Sequence, residues 1–141
     1  MNDNDLRRIV NEIENMPFLK YLSLKVSRWE PGKCELFIPA TGKFINRLGE
    51  INLGVCSILC EAGSYIAACT DSLEGKHPVI YSSKVSLLHP KVSGAIYISS
   101  GFMEGETDRL IESKVVDEQG KLIALATNRY LLVVDIRKRD L

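Results

Sequence analysis

The apolar residues Leu6, Ile9, Val10 and Ile13 recur at spacings of three and four, the period of one helical face, and predict a helix over 4–15 that Met16-Pro17 ends. From Leu22 the period drops to two. Leu22, Leu24 and Val26 alternate with Ser23, Lys25 and Ser27, and after Glu30-Pro31-Gly32-Lys33 the alternation resumes in Cys34, Leu36 and Ile38. Pro and Gly favour the backbone angles of a tight turn, so this stretch predicts a β-hairpin. A loop over 39–47 follows it.

Residues 51–70 break the alternation. Every face of a helix over about 50–72 is apolar, and Glu61 is the only formally charged residue between Glu50 and Asp71. A helix apolar all round is expected to be enclosed on all sides. Asn52, Ser57, Glu61, Ser64 and Thr70 make the stretch too polar for an ordinary membrane span. Four strands are predicted downstream, over 79–88, 95–104, 109–117 and 122–135. Their breaks are His89-Pro90 with Ser93-Gly94, then 105–108, then Glu118-Gln119-Gly120-Lys121. No helix alternates with the last strands to make parallel crossovers, so the class is α+β. One antiparallel sheet curled around one helix, a single domain over 1–141, accounts for the order of elements.

With 141 residues the chain buries about two-thirds of the surface its unfolded form exposes, so no disulfide or metal staple is required. The 18 basic and 18 acidic residues cancel, leaving no overall field to gather nucleic acid or an acidic membrane. Neither is expected as a partner, although a local basic patch could hold a phosphorylated ligand. Cys34, Cys56, Cys60 and Cys69 form no CxxC and have no matching His pair, which argues against both a zinc site and a disulfide framework. Free thiols point to a reducing cytoplasm. The charged stretch 1–15 lacks the apolar core of a secretory signal.

Residues 46–63 carry the chemistry. Asn46, Gly49, Asn52, Leu53, Gly54 and Glu61, with the preceding hairpin and the later Leu87-Leu88-His89-Pro90, form a pattern that resembles the hotdog-fold thioesterase superfamily, in particular its phenylacetate-degradation and 4-hydroxybenzoyl-CoA thioesterase-like branch. That branch has Asn, two residues, Gly, two residues, then His-Gly-Gly, with Asp or Glu nine positions after the His. Asn46, Gly49, Gly54 and Glu61 match; Asn52 replaces the His and Leu53 the first Gly. The resemblance implies a curved antiparallel β-sheet wrapped around a long central helix, and hydrolysis of an acyl-CoA or related thioester. It also implies that the amide of Leu53, with Gly54, polarises the thioester carbonyl, which suits the unpaired N–H groups of a helix start.

Glu61 is the candidate general base or nucleophile. In an apolar helix its charged form should be disfavoured by desolvation, which would make it a better base. The bland alternative is a glutamate at a helix edge or paired with a cation. Asn46 fits either a loop residue bonding its own backbone or an amide aimed at the thioester or at Glu61. Asn52 fits a helix cap as well as a catalytic contact, and Tyr65, one turn after Glu61, fits a site wall or the core. Ser82 and Ser83 are further candidate substrate contacts. Lys84, His89, Lys91 and Arg129 fit either a CoA phosphate site or solvated surface charge. Cys56 and Cys60 have no adjacent basic residue to form a thiolate, so core packing is expected. His77 and His89 are placed in loops flanking a strand, and Arg137-Lys138-Arg139 reads as a solvated tail.

Asn52 and Glu61 lie roughly 13 Å apart along a helix. One thioester carbon cannot touch both, so the resemblance implies a site shared across a two-fold axis, and a homodimer or homotetramer. No metal or redox cofactor is implied. The departures at 52 and 53 also suit a non-catalytic acyl-CoA-binding or assembly protein. A hydratase or dehydratase is disfavoured because Asn52 cannot exchange protons as His does.

Overall fold

The computed structural model describes residues 1–40 and 42–135, so the tail Arg137-Lys138-Arg139 lies outside the described residues. The amphipathic start folds as α1 (Asp3–Glu14), whose apolar stripe buries Leu6, Val10 and Ile13. Asn2 caps it, its Oδ1 accepting the Asp5 N–H at 2.9 Å. Met16-Pro17 ends α1 as predicted, but Pro17 also begins a second helix, α2 (Pro17–Tyr21). Proline suits that first position, where the missing N–H is not needed. Ser23 then takes a left-handed φ of 61°, so β1 (Lys25–Glu30) starts later than the alternation predicts. Leu22 and Leu24 are buried all the same.

β1 and β2 (Lys33–Ile38) form the hairpin, with Glu30 paired to Lys33 across Pro31-Gly32. The core helix is α3 (Leu53–Thr70), followed by β3 (Lys76–Leu87), β4 (Ile96–Glu104), β5 (Asp108–Asp117) and β6 (Leu122–Val134). His77 falls inside β3 rather than in a loop before it. The β5–β6 turn hangs on Asp117. Its Oδ1 accepts the N–H groups of Gln119 and Lys121, while Oδ2 accepts that of Ser93.

The strands make one antiparallel six-stranded sheet in the order β1-β2-β4-β5-β6-β3. α3 contacts all six. Six strands at about 4.8 Å spacing span about 24 Å when flat, twice the width of a helix, so one helix reaches them all only if the sheet curls around it. This is the expected hotdog fold.

Inward residues line up in rows across the strands. Leu36, Ile98, Val115, Ala124 and Leu87 make one row, and Cys34, Ser100, Ser113, Ala126 and Val85 the next. The second row is made mostly of small side chains, and there the helix packs closely on the sheet. A Cβ on Gly63 would sit 2.5 Å from Ser100 Oγ. Ser100 and Ser113 share a hydrogen bond of 2.6 Å, and Ser113 Oγ donates to the Cys60 carbonyl at 3.4 Å.

By length and composition α3, with a mean hydropathy of 1.4, could cross a membrane, yet 61% of it is buried here. It is not enclosed on every side, however. Leu53 and Ile58 are 48% and 41% exposed, and Asn52, Gly54 and Glu61 are exposed beside them. The sheet reaches only part of the way round, and one apolar face stays open.

The two sheet edges differ. β1 is short, bulged between Val26 and Arg28, and rich in charge. β3 runs for 12 residues, bears exposed Val79 and Tyr81, and pairs with β6 on one side.

Candidate active site

The start of α3 is built by a tight loop. Asn46 Oδ1 accepts the N–H groups of Leu48 at 2.8 Å and Glu50 at 3.1 Å, and its own N–H donates to the Glu50 carbonyl. Gly49, at φ 76°, takes the left-handed turn that this loop requires. The Asn46 side-chain oxygen is thus engaged in organising its own loop, the plainer of its two readings. Asn52 is the helix cap: its Oδ1 accepts the Val55 N–H at 2.8 Å.

Leu53 and Gly54 follow as the first two helical residues, where no preceding turn supplies a carbonyl to their N–H groups. Both residues are exposed. Their amides and the helix dipole together provide a place where negative charge on an oxygen is stabilised.

This end of α3 is tied to the segment after β3. The backbones of Glu50 and Lys91 pair as an isolated antiparallel β-bridge, the Ile51 N–H donates to the Pro90 carbonyl at 2.9 Å, and the Val92 N–H to the Gly49 carbonyl at 3.1 Å. Lys91 and His89 are thereby brought near the helix start. His89 Nδ1 lies 2.8 Å from the Leu122 carbonyl. Ser82, Ser83 and Lys84 lie on β3, paired with Arg129, Asn128 and Thr127, and all three are exposed. Arg129 also faces Asp108 at 3.7 Å. Lys84 joins Glu112 and Thr127 around a shallow surface depression, and within one chain it does not meet Glu61.

Glu61 occupies different surroundings. It lies on the open face of α3 in a groove of about 420 Å³ between α1 and α3. The burial expected for it from sequence is absent in the single chain, because the sheet does not cover this face. Each wall of the groove is a stripe with the same sequence spacing: Ile9, Glu12 and Ile13 on α1 with Met16 just beyond its end, and Ile58, Glu61, Ala62 and Tyr65 on α3. Each stripe carries one glutamate at its second position. Tyr65 is a wall of this groove and is half-buried against Tyr130, their rings 6.5 Å apart. Burial, with smaller contributions from Cys69 and Glu12, pushes its phenol up to about 12.

Beneath the Glu61 turn lies a polar cluster that the sequence reading missed. Asn128 Nδ2 donates to Ser64 Oγ at 2.8 Å, Ser64 Oγ is 2.6 Å from the Tyr130 hydroxyl, and both Ser64 and Tyr130 reach the Glu61 carbonyl. All three side chains are buried. Asn128 Oδ1 has no partner among the described residues. A signal was present: period two along β6 puts Asn128 on the same face as Ala124, Ala126 and Tyr130, an inward position where an amide needs a reason.

The cysteines are all free and buried. Burial pushes the thiols of Cys34 and Cys60 up to about 12 and those of Cys56 and Cys69 up to about 11, which keeps them protonated and unreactive.

No family model and no curated protein sequence matches the chain. Solved structures do match, at low identity. A thioesterase from Haemophilus influenzae superposes with a TM-score of 0.81 at 18% identity, covering 94% of this chain and 93% of that one. A thioesterase family protein from Silicibacter pomeroyi gives 0.79 at 18%, covering 92% and 99%. The PaaI protein of the phenylacetic acid degradation operon of E. coli gives 0.76 at 16%, covering 92% and 94%. At these identities the likeness is one of fold.

Proposed function

We propose that this protein hydrolyses acyl thioesters, with CoA esters as the first class to test. The observation that carries the reading is Glu61: a solvent-reachable carboxylate in an apolar groove, on the same helix whose first amides are open at its start. In the proposed reaction the carbonyl oxygen sits against the N–H groups of Leu53 and Gly54. Glu61 takes a proton from water as the water attacks the carbonyl carbon. The tetrahedral oxyanion is held at the helix start until the C–S bond breaks, the acid forms and the sulfur leaves as a thiol after taking up the proton. Direct attack by Glu61, giving an anhydride that water then opens, uses the same groups. These steps draw only on the chain's own side chains and backbone.

Leu53 and Glu61 are separated by eight residues, about 12 Å along the helix. We therefore place the helix start of one subunit opposite Glu61 of a second. The long open edge of β3 is the natural seam, because an unpaired strand of this length invites pairing with its own copy. β1, short and charged, is the protected edge.

A binding role without turnover is the second reading. It is favoured by Leu53, whose exposed side chain stands at the helix position that must admit a carbonyl oxygen. One screen separates the two: short, medium, long and aromatic acyl-CoAs incubated with the protein and a chelator, with free thiol as the readout. Thiol release from at least one ester is expected. Tight binding of an ester that stays intact for hours would replace the hydrolase by a binder.

A further inference from the structure

We propose that Glu12 is a specificity-determining residue that restricts the substrate to thioesters of apolar acyl groups lacking a distal carboxylate. The inference rests on the thioesterase reading and adds an occupant to its groove. The thioester carbon must lie beside Glu61, and the apolar space adjoining Glu61 is the channel between the stripes of α1 and α3. Its volume of about 420 Å³ falls within the range of about 300–1,000 Å³ typical of small-ligand pockets. The acyl chain therefore lies between Ile9, Ile13 and Met16 on one side and Ile58 and Tyr65 on the other.

No lysine, arginine or histidine lines this channel, and neither Glu12 nor Glu61 forms a salt bridge among the described residues. An acyl group ending in a carboxylate would bring a third negative charge into a space where the described residues of the chain supply two and no counter-ion. A methyl end meets only the apolar lining. Glu61 is reserved for the reaction, so the charge filter falls to Glu12, which α1 holds in the same relative position on the opposite wall. The placement of α1 is fixed by its buried stripe of Leu6, Val10 and Ile13 and by Glu14 Oε2, which accepts the Val26 N–H at 2.8 Å.

The test compares hexanoyl-CoA with adipoyl-CoA, equal in chain length and different at the far end. Binding of their non-hydrolysable thioether counterparts, S-hexyl-CoA and S-(5-carboxypentyl)-CoA, is measured in parallel by calorimetry. The parent should favour the methyl-ended member of each pair by about tenfold or more, the scale of one uncompensated charge contact partly screened by solvent. Glu12→Gln should reduce that ratio and Glu12→Lys should abolish or invert it. Glu74→Lys, the same charge change on an exposed loop outside the groove, should leave it in place. A ratio in Glu12→Lys within twofold of the parent overturns the proposal. So does an equal shift in Glu74→Lys, or failure of S-hexyl-CoA to bind the parent. If neither ester is cleaved but the thioether ratio shifts as stated, the charge filter stands and the hydrolase reading falls.

Discussion

Gly63 of α3 and Ser100 of β4 approach so closely that a methyl group on the glycine would lie 2.5 Å from the serine Oγ and 3.5 Å from its Cβ. The helix can settle into the sheet only because one partner has no side chain and the other a small one. Gly63→Ala should therefore lower unfolding free energy by about 1–3 kcal/mol through overpacking. Adding Ser100→Ala removes the offending oxygen, and urea titration of the single and double variants should show a combined loss well below the sum of the two. Additive losses would mean that the contact does not limit the approach.

Glu61→Gln keeps the shape of the side chain and removes its basicity. Thioester turnover should fall about a hundredfold or more while CoA-ester binding persists, the usual scale for a positioned base. A folded variant as active as the parent would dismiss Glu61 from the mechanism.

Asn52→Ala removes the helix cap and should cost about 1 kcal/mol of stability, read by chemical denaturation. Its effect on turnover should be smaller than that of Glu61→Gln, because the proposed oxyanion donors are backbone amides. A larger loss of turnover than in the glutamate variant would assign the side chain a direct part in the reaction.

Assembly is tested by sedimentation. At micromolar concentration the protein should run as a dimer or a larger even-numbered assembly. A monomer alone would remove the shared site.

The buried thiols predict an alkaline limit. An exposed thiol in the unfolded chain ionises near pH 9, whereas burial holds the four folded thiols up to about 11–12. As pH rises through 9 the unfolded state loses protons first, so the stabilisation present below pH 9 is lost progressively towards pH 11–12. Melting temperatures at pH 8 and pH 10 should differ in that direction. Iodoacetamide at pH 8 should label the thiols only after unfolding.

Much of this fold is legible in the sequence. Alternation in Cys34, Leu36 and Ile38 and the mostly apolar run after Asn52 mark a sheet and a core helix because burial acts through periods of two and about 3.6. Short-range chemistry is harder to read. Ser23 reverses the chain with a left-handed φ, and Pro17 both stops one helix and starts another. The open face of α3 is hidden from the sequence for a different reason. Composition shows that a helix needs cover, but a single chain need not supply all of it. Asn46 matches the motif and Asn52 stands at its His position, yet the side-chain oxygens of both hold backbone N–H groups. The groove depends on how α1 lies against α3, which no local pattern encodes.

Strand order also sets a schedule for the chain as it is made. β3 finds its neighbour in β6, and β4 and β5 must be synthesised between them. A nascent chain that has emerged only as far as β5 already holds α3, but it carries a twelve-residue strand with both edges bare. Such an intermediate exposes the kind of surface that aggregation and chaperones recognise. Arrival of β6 leaves β3 with a single open edge, and only then does the chain carry the one-sided seam by which two finished copies could meet.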